Sequence, residues 1–179
     1  MFTTIYVSQF VKPFNEDGRR FIRDSAEELL ATDTQVDISP KRSRSKNPDP
    51  SSDTVPQQNS LICPKTFNHY ILNLPASAIT FLPAFIGLYA GMRELFAPHT
   101  CTKLPMIHVH CFNTKSDDNK EEEMKICKEI SGQLGHAIKP GDPEIAGEVE
   151  IWDVRDVAPL KRMFCASFRL PMEVAFRTT

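Results

Sequence analysis

The tripeptide Asn73-Leu74-Pro75 carries the side chains of this sequence that are best suited to binding chemistry. The Asn73 amide offers two hydrogen-bond donors and one carbonyl acceptor, and Pro75 supplies no amide hydrogen to the carbonyls around it. A rigid group of this kind can hold the edge of a flat nitrogenous base. The spacing alone favours a simpler interpretation, in which Pro75 opens a helix after a strand.

Two histidines, His108 and His110, are the other residues with a chemically suggestive spacing. Side chains alternate along a strand, so both would point to the same face of a sheet. Such a pair can ligate zinc together with a nearby cysteine, but Cys111 would point to the opposite face. We therefore expect histidines of the core, and no metal site.

The elements that must position these residues follow from the hydrophobic pattern. Strands are predicted at residues 5–14, 67–74, 106–112, 148–157 and 163–170. Helices are predicted at residues 21–30, from Pro75 onward with a break at Pro83, and at residues 124–134 with a cap at Asp117 or Asp118 and a stop at Gly135. A turn at residues 15–18 and a hairpin at residues 158–161 complete the pattern.

Alternating strands and helices indicate an α/β fold, with an open, mostly parallel sheet that has helices on both faces and ends in an antiparallel hairpin. Ligands of such sheets bind beyond the carboxyl ends of the strands. This rule selects three segments for a site: residues 15–19, 73–76 and 112–115.

Residues 32–64 break this pattern, because they are rich in proline, serine and asparagine and poor in large apolar side chains. Such a segment cannot bury enough surface to offset its ordering entropy, so we predict a disordered insertion within one domain. Its basic run at residues 41–46 is typical of a solvated linker, while a nuclear signal, an RNA-contacting arm and a phosphorylation site remain open.

Composition sets the broad class. The chain has 179 residues, a net charge of −2 and five cysteines without a C-x-x-C pair, which fits a protein of a reducing compartment better than a disulfide framework. Neither a membrane-spanning run nor a secretory signal is present in the sequence. Any contact with nucleic acid must therefore come from local basic patches.

Four motifs, in order along the chain, resemble those of the archaeal and eukaryotic tRNA (guanine-37-N1)-methyltransferase family. They are Pro13-Phe14-Asn15-Glu16-Asp17-Gly18-Arg19, His69-Tyr70-Ile71-Leu72-Asn73-Leu74-Pro75-Ala76-Ser77-Ala78, Pro105-Met106-Ile107-His108-Val109-His110-Cys111-Phe112, and Val154-Arg155-Asp156-Val157-Ala158-Pro159-Leu160-Lys161 with the strand behind it. The resemblance implies a Rossmann-like class I methyltransferase sheet that uses S-adenosylmethionine and acts at the anticodon loop of tRNA. It also implies that Asp17 lies near the cofactor adenine, and that Asn73 and Pro75 lie beside the cofactor's methionine end and the target guanine.

Basic residues inside these motifs are candidates for RNA contact: Arg19, Arg155 and Lys161. Arg155 could equally form an ion pair with Asp153 or Asp156. Lys161 and its neighbour Arg162 form a basic tip that the pattern alone interprets as solvated.

The resemblance also predicts that the chain is the C-terminal part of one methyltransferase domain over residues 1–179. The family's glycine-containing cofactor loop, its first strands and its proposed general base would lie before Met1, so the sheet would be incomplete and the chain inactive alone. A wybutosine-pathway aminocarboxypropyl transferase, a non-catalytic RNA-binding or partner module and a product without a stable fold are the alternatives. We expect a monomer in the cytoplasm, nucleus or mitochondrial matrix, without a membrane anchor.

Overall fold

The structure, a computed structural model, describes residues 11–33, 35–37 and 60–178. Its helices and strands are α1 (Gly18–Ala31), β1 (Gln35–Asp37), β2 (Ser60–Ile62), β3 (His69–Leu72), β4 (Met106–Thr114), α2 (Lys120–Leu134), β5 (Lys139–Pro140), β6 (Glu148–Ala158), β7 (Lys161–Arg169) and α3 (Met172–Ala175). Three 3₁₀ helices lie between β3 and β4, at Ala78–Phe85, Arg93–Phe96 and Pro98–Thr100.

The main sheet is mixed, with the strand order β3-β4-β7-β6-β5. The outer pairs β3/β4 and β5/β6 are parallel, and β7 runs antiparallel to both of its neighbours, β4 and β6. The prediction of a mostly parallel sheet is therefore wrong for the described residues. The predicted hairpin is confirmed, and its second strand, β7, lies between β4 and β6 and pairs with both along most of its length.

The hydrophobic core lies on one face of this sheet. Side chains alternate along a strand, and the core takes one alternating set: Tyr70, Leu72, Ile107, Val109, Cys111, Phe164, Ala166 and Phe168. Helix α2 packs on this face through Ile126 and Ile130. In the described part of the chain, the core residues of the helices pack against this face of the sheet only. The expectation of helices on both faces is therefore wrong for these residues.

The opposite set of side chains forms what we call the open face: His69, Ile71, His108, His110, Trp152, Cys165 and Ser167. Ile71 is 70% exposed and Trp152 is 57% exposed on it. β3 also has a strand partner on one side only within the described sheet.

Local sequence explains the two long helices. Asp17 caps α1, and its Oδ1 accepts from the amides of Arg19 and Arg20 at 2.9 and 3.4 Å. Helix α2 ends at Gly135, which has the left-handed backbone that the sequence predicted. The N-cap residue of α2 is Asn119 rather than Asp117 or Asp118. The Asp118 carboxylate nevertheless accepts a hydrogen bond from the Lys120 amide at 3.2 Å.

Two sequence predictions fall largely outside the described residues. Of the first predicted strand, residues 11–14 have no regular structure and the remainder is not described. Of the predicted insertion at 32–64, the ends are described in part, and there Gln35–Asp37 pairs with Ser60–Ile62.

Candidate functional site

The Asn73-Leu74-Pro75 segment leaves the sheet directly after β3 and turns into the 3₁₀ helix at Ala78–Phe85. The Leu74 carbonyl accepts from the amides of Ser77 and Ala78, both at 2.8 Å, which fixes the turn. The Asn73 side chain is exposed and has no hydrogen bond to another described residue. Its amide is therefore free to bind a ligand, whereas the Leu74 carbonyl is already used.

Gly18, the last residue of the turn at 15–18, lines one cleft together with Asn73 and Leu74. The Arg19 guanidinium donates to Thr80 Oγ1 at 2.8 Å, and its Cζ lies 4.4 Å from the centre of the Phe81 ring. A Cβ atom on Gly18 would come within 3.0 Å of the same ring. The start of α1 thus packs against the 3₁₀ helix that follows the tripeptide.

Asp17 has a structural task that the sequence analysis did not assign. Its Oδ1 caps α1, and its Oδ2 lies 3.5 Å from Arg19 Nη1. The side chain is nevertheless 60% exposed, so a ligand can still reach it. An aspartate directly before a helix is a known capping signal, and this signal could have revealed the role from sequence.

A narrow apolar cleft of about 290 Å³ lies on the Asn73 side of the tripeptide. Its lining is mostly aromatic and aliphatic: Gly18, Phe21, Ile22, Ser25, Phe67, His69, Tyr70, Ile71, Leu72, Asn73, Leu74 and Phe81. We call it the apolar cleft. Asn73 supplies the amide side chain of this lining.

A larger cleft of about 790 Å³ lies on the Pro75 side. It is lined by Pro75, Ala76, Ser77, Ile79, Thr80, Cys111, Phe112, Lys125, Lys128, Glu129, Gly132, Gln133 and Lys161, and we call it the basic cleft. Sequence reasoning identified Pro75 and Lys161 but missed Lys125 and Lys128. The helical spacing of the two lysines was visible in the sequence, but not the surface that they face.

Two buried or half-buried residues form the floor of the basic cleft. The Lys161 ammonium lies 4.1 Å from the centre of the Phe112 ring, a cation–π contact. Burial raises the pKa of Cys111 to about 12, so this thiol stays protonated and unreactive near neutral pH.

The hairpin basic residues divide into an engaged one and a free one. Arg162, whose side chain is 17% exposed, contacts Asp153 Oδ2 at 2.5 Å and Asp156 Oδ1 at 2.9 Å. It is therefore not the solvated residue that the sequence suggested. Arg155 is exposed and forms no ion pair within the described part of the chain, so the ion-pair alternative for Arg155 is wrong there.

The histidines of the open face form a hydrogen-bonded row. His108 Nε2 lies 2.9 Å from His69 Nδ1, and His108 Nδ1 lies 2.9 Å from Ser167 Oγ. Burial, and then His69 and His110, lower the pKa of His108, which favours its neutral form. Across residues 11–33, 35–37 and 60–178, no three histidine, cysteine, aspartate or glutamate side chains are placed to hold a metal ion.

The described architecture is that of an α/β protein whose candidate site lies beyond the carboxyl ends of two adjacent parallel strands. Comparison with curated proteins makes this more specific. The chain is 56% identical over 96% of its length to a tRNA (guanine(37)-N(1))-methyltransferase of Phaeosphaeria nodorum, and 52% identical over 95% of its length to that of Fusarium vanettenii. Its identity to the corresponding protein of Schizosaccharomyces pombe is 38% over 95% of its length. The resemblance to this family that the sequence motifs predicted is thus confirmed along nearly the whole chain.

The chain spans 40%, 36% and 36% of the lengths of these three relatives. No family model and no solved structure matches it. Among the described helices, none has the length and apolar character to cross a membrane.

Proposed function

We propose that this chain contributes the guanine-facing part of a tRNA (guanine-37-N1)-methyltransferase site, in which a methyl group passes from S-adenosylmethionine to N1 of guanine 37. One geometric observation carries the proposal. Gly18, at the end of the 15–18 turn, lines one cleft together with Asn73. Arg19 joins the start of α1 to Thr80, in the 3₁₀ helix that follows the tripeptide. Ligands of α/β sheets bind at such strand ends.

The side chains at this junction suit the cofactor. The free amide of Asn73 offers both donors and an acceptor to polar groups of a nucleoside or an amino acid, and the exposed Asp17 carboxylate can accept from hydroxyl or amino groups. When bound, S-adenosylmethionine would supply an electrophilic methyl group on its sulfonium and leave as S-adenosylhomocysteine, while a base accepts the proton that guanine N1 loses. The protein's own residues then position the acceptor, and Asn73 and Pro75 are the candidates to orient the purine edge.

We further propose a Rossmann-like sheet that continues beyond β3. Support comes from the parallel β3/β4 pair and from the second edge of β3, which has no partner strand among the described residues. An unpaired edge next to the apolar cleft is a natural position for another parallel strand.

Arg155 and Lys161 are the candidates for contact with the RNA, whereas Arg19 has a structural role. The Arg19 guanidinium is engaged with Thr80, Phe81 and Asp17. It therefore acts by holding the two segments together. Arg155 and Lys161 are exposed and can reach phosphate groups.

A chimera tests the function directly. The matching segment of the Phaeosphaeria nodorum relative is replaced by this chain, and methyl transfer is measured on tRNA transcripts that carry guanine or adenine at position 37. The cofactor carries separate labels on its methyl and carboxyl carbons. Transfer of the methyl label alone, to the guanine transcript alone, is expected. Transfer of the carboxyl label would indicate an aminocarboxypropyl transferase, and an inactive but folded chimera would contradict the proposal.

A further inference from the structure

The basic cleft has a lining that the proposed chemistry of methyl transfer does not explain. Three of its side chains are cationic, Lys125, Lys128 and Lys161, and one is anionic, Glu129. The lysines come from two opposite walls, since Lys125 and Lys128 belong to α2 and Lys161 begins β7.

The positive charge of this cleft is only partly neutralised. Lys125 Nζ lies 2.9 Å from Glu121 Oε1, and this carboxylate raises the pKa of Lys125. Lys128 and Lys161, by contrast, form no ion pair with any described residue. Nearby, Lys115, which follows β4, and Arg162, on the hairpin, are both paired with Asp156. The lining residues without an ion pair among the described residues are thus Lys128, Lys161 and, with the opposite sign, Glu129, which leaves the cleft with a net positive charge.

The α2 wall of the cleft is unusually open. Gly132 lies one helical turn after Lys128 on the same side of the helix, and a Cβ atom there would meet nothing within 4 Å. Glycine inside a helix is unfavourable relative to alanine, and internal packing gives no reason for it here. The glycine leaves room beside Lys128 for a group from outside the described structure.

From these observations we propose that the basic cleft binds the phosphodiester backbone of RNA, with Lys128 and Lys161 each contacting a phosphate and Gly132 admitting the sugar-phosphate chain. This inference rests on the proposed function, because Pro75 lines the same cleft and a bound strand would pass beside the guanine-facing segment. Phosphate contacts fix the position of an RNA without reading its sequence, so the cleft acts as a positioning site.

The test measures binding of the chain to an anticodon stem-loop RNA by fluorescence anisotropy over a range of salt concentrations. The double variant Lys128→Glu/Lys161→Glu is compared with Lys103→Glu/Lys139→Glu. The control makes the same change in net charge at side chains that are 70% and 72% exposed and lie outside the cleft. We expect the cleft variant to weaken binding by at least about 10-fold and the control by less than about 2-fold. Loss of two single-strand phosphate contacts lowers the slope of log affinity against log salt by about 1.4.

Milder variants keep the test decisive if charge reversal disturbs folding. Lys128→Gln/Lys161→Gln should weaken binding less than charge reversal, with about the same loss of salt dependence, because the same two phosphate contacts are lost. Lys161→Arg should preserve binding. Equal weakening in cleft and control variants would overturn the proposal, as would a wild-type chain that does not bind RNA. A polyglutamate peptide of equal charge is also tested as a competitor of the bound stem-loop. If it competes as well as unlabelled RNA does, the proposal is overturned in favour of an acidic protein partner.

The outcome is separable from that of the proposed function. Phosphate binding predicts equal affinity for stem-loops with guanine or adenine at position 37, whereas methyl transfer requires guanine. If the chimera methylates tRNA but the cleft variant binds RNA as well as wild type, only the proposal for the basic cleft is refuted. Lysine-dependent RNA binding without methylation would refute the proposed function alone.

Discussion

The apolar cleft and the basic cleft lie on either side of the same short segment, yet they differ in size, charge and lining. The apolar cleft, about 290 Å³, is lined mostly by aromatic and aliphatic side chains, together with Asn73. The basic cleft, about 790 Å³, is lined by three lysines and an open helical glycine. Asn73 lines the apolar cleft and Pro75 lines the basic cleft, so the tripeptide borders two different chemical environments.

This difference shows how a strand-to-helix turn can organise two ligands at once. A flat, weakly charged group gains by burial against apolar side chains with a few polar contacts, whereas a polyanion gains from unpaired cations at an open groove. The turn itself is rigid, since both hydrogen bonds to the Leu74 carbonyl lie within it. The two environments are therefore held at a fixed separation.

The largest effect is expected from Asn73→Ala. The Asn73 side chain is exposed and makes no contact by hydrogen bond with the described residues, so the unfolding temperature should stay within about 1 °C of wild type, as expected for a surface change without a structural role. Methyl transfer by the chimera should fall by at least about 100-fold, the size of effect seen when a transition-state contact is lost. Kinetics and thermal melting of the same preparation check this, and a large loss of stability would assign Asn73 to the fold.

A series at position 17 separates the two tasks of the carboxylate. Asp17→Ala removes the cap of α1 and should lower the free energy of unfolding by about 1 kcal/mol, whereas Asp17→Ser restores a capping oxygen and most of the stability. Both variants should bind S-adenosylhomocysteine more weakly, because both lack the carboxylate. Denaturant unfolding and calorimetric titration give the two readouts. If the serine variant binds as tightly as wild type, the carboxylate is only a cap.

The two clefts each contain one helical glycine, and alanine should act differently at each. At Gly132 the Cβ atom has open space, so Gly132→Ala should stabilise α2 by up to about 1 kcal/mol while weakening RNA binding. At Gly18 the Cβ atom would lie 3.0 Å from the Phe81 ring, so Gly18→Ala should gain no stability. Thermal melting of the two variants provides the comparison. A stabilised Gly18→Ala variant would show that the Phe81 ring can move away from the added methyl group.

The smallest effect concerns the helix that forms the wall of the basic cleft. Glu122 on α2 is buried, and the Ser116 hydroxyl donates to its Oε2 at 2.5 Å. This bond lowers the pKa of Glu122 below its usual value of 4.5. Because the folded-state pKa is the lower one, the stabilisation is complete above the usual value and is lost as the pH falls through the folded-state pKa.

Glu122→Gln should therefore reduce the fall in the free energy of unfolding below about pH 4.5. Near neutral pH, the free energy of unfolding should depend on pH as in wild type. Denaturant midpoints measured between pH 3 and pH 7 give the curve. Ser116→Ala is the matched partner variant and should flatten the same limb. An unchanged acid limb in both variants would mean that this pair does not couple folding to pH.

Local signals predicted the positions of most elements around the two clefts. The hydrophobic runs located β3 and β4, the periodicity and Gly135 located α2, and the hairpin followed from two strands with Pro159 and Leu160 between them. Family resemblance then singled out Asn73 and Asp17. These features depend on neighbouring residues, which a sequence displays directly.

The arrangement of those elements depended on contacts between distant residues, and here prediction failed. Nothing local indicates that β7 inserts antiparallel between β4 and β6, or that the described helices gather on one face. For the same reason the sequence did not single out Lys128, because its place in one cleft with Pro75 and Lys161 depends on how α2 packs.

The most direct test of the separation of the clefts is a crossed binding experiment on the chimera, in which the relative supplies the part of the sheet that we propose beyond β3. Affinities for S-adenosylhomocysteine and for the anticodon stem-loop are measured by calorimetry for wild type, Asn73→Ala and Lys128→Glu/Lys161→Glu. We predict that wild type binds both ligands, that Asn73→Ala loses only the nucleoside, and that the lysine variant loses only the RNA. A variant that loses both ligands while remaining folded, or a wild-type chimera that binds neither, would contradict the account.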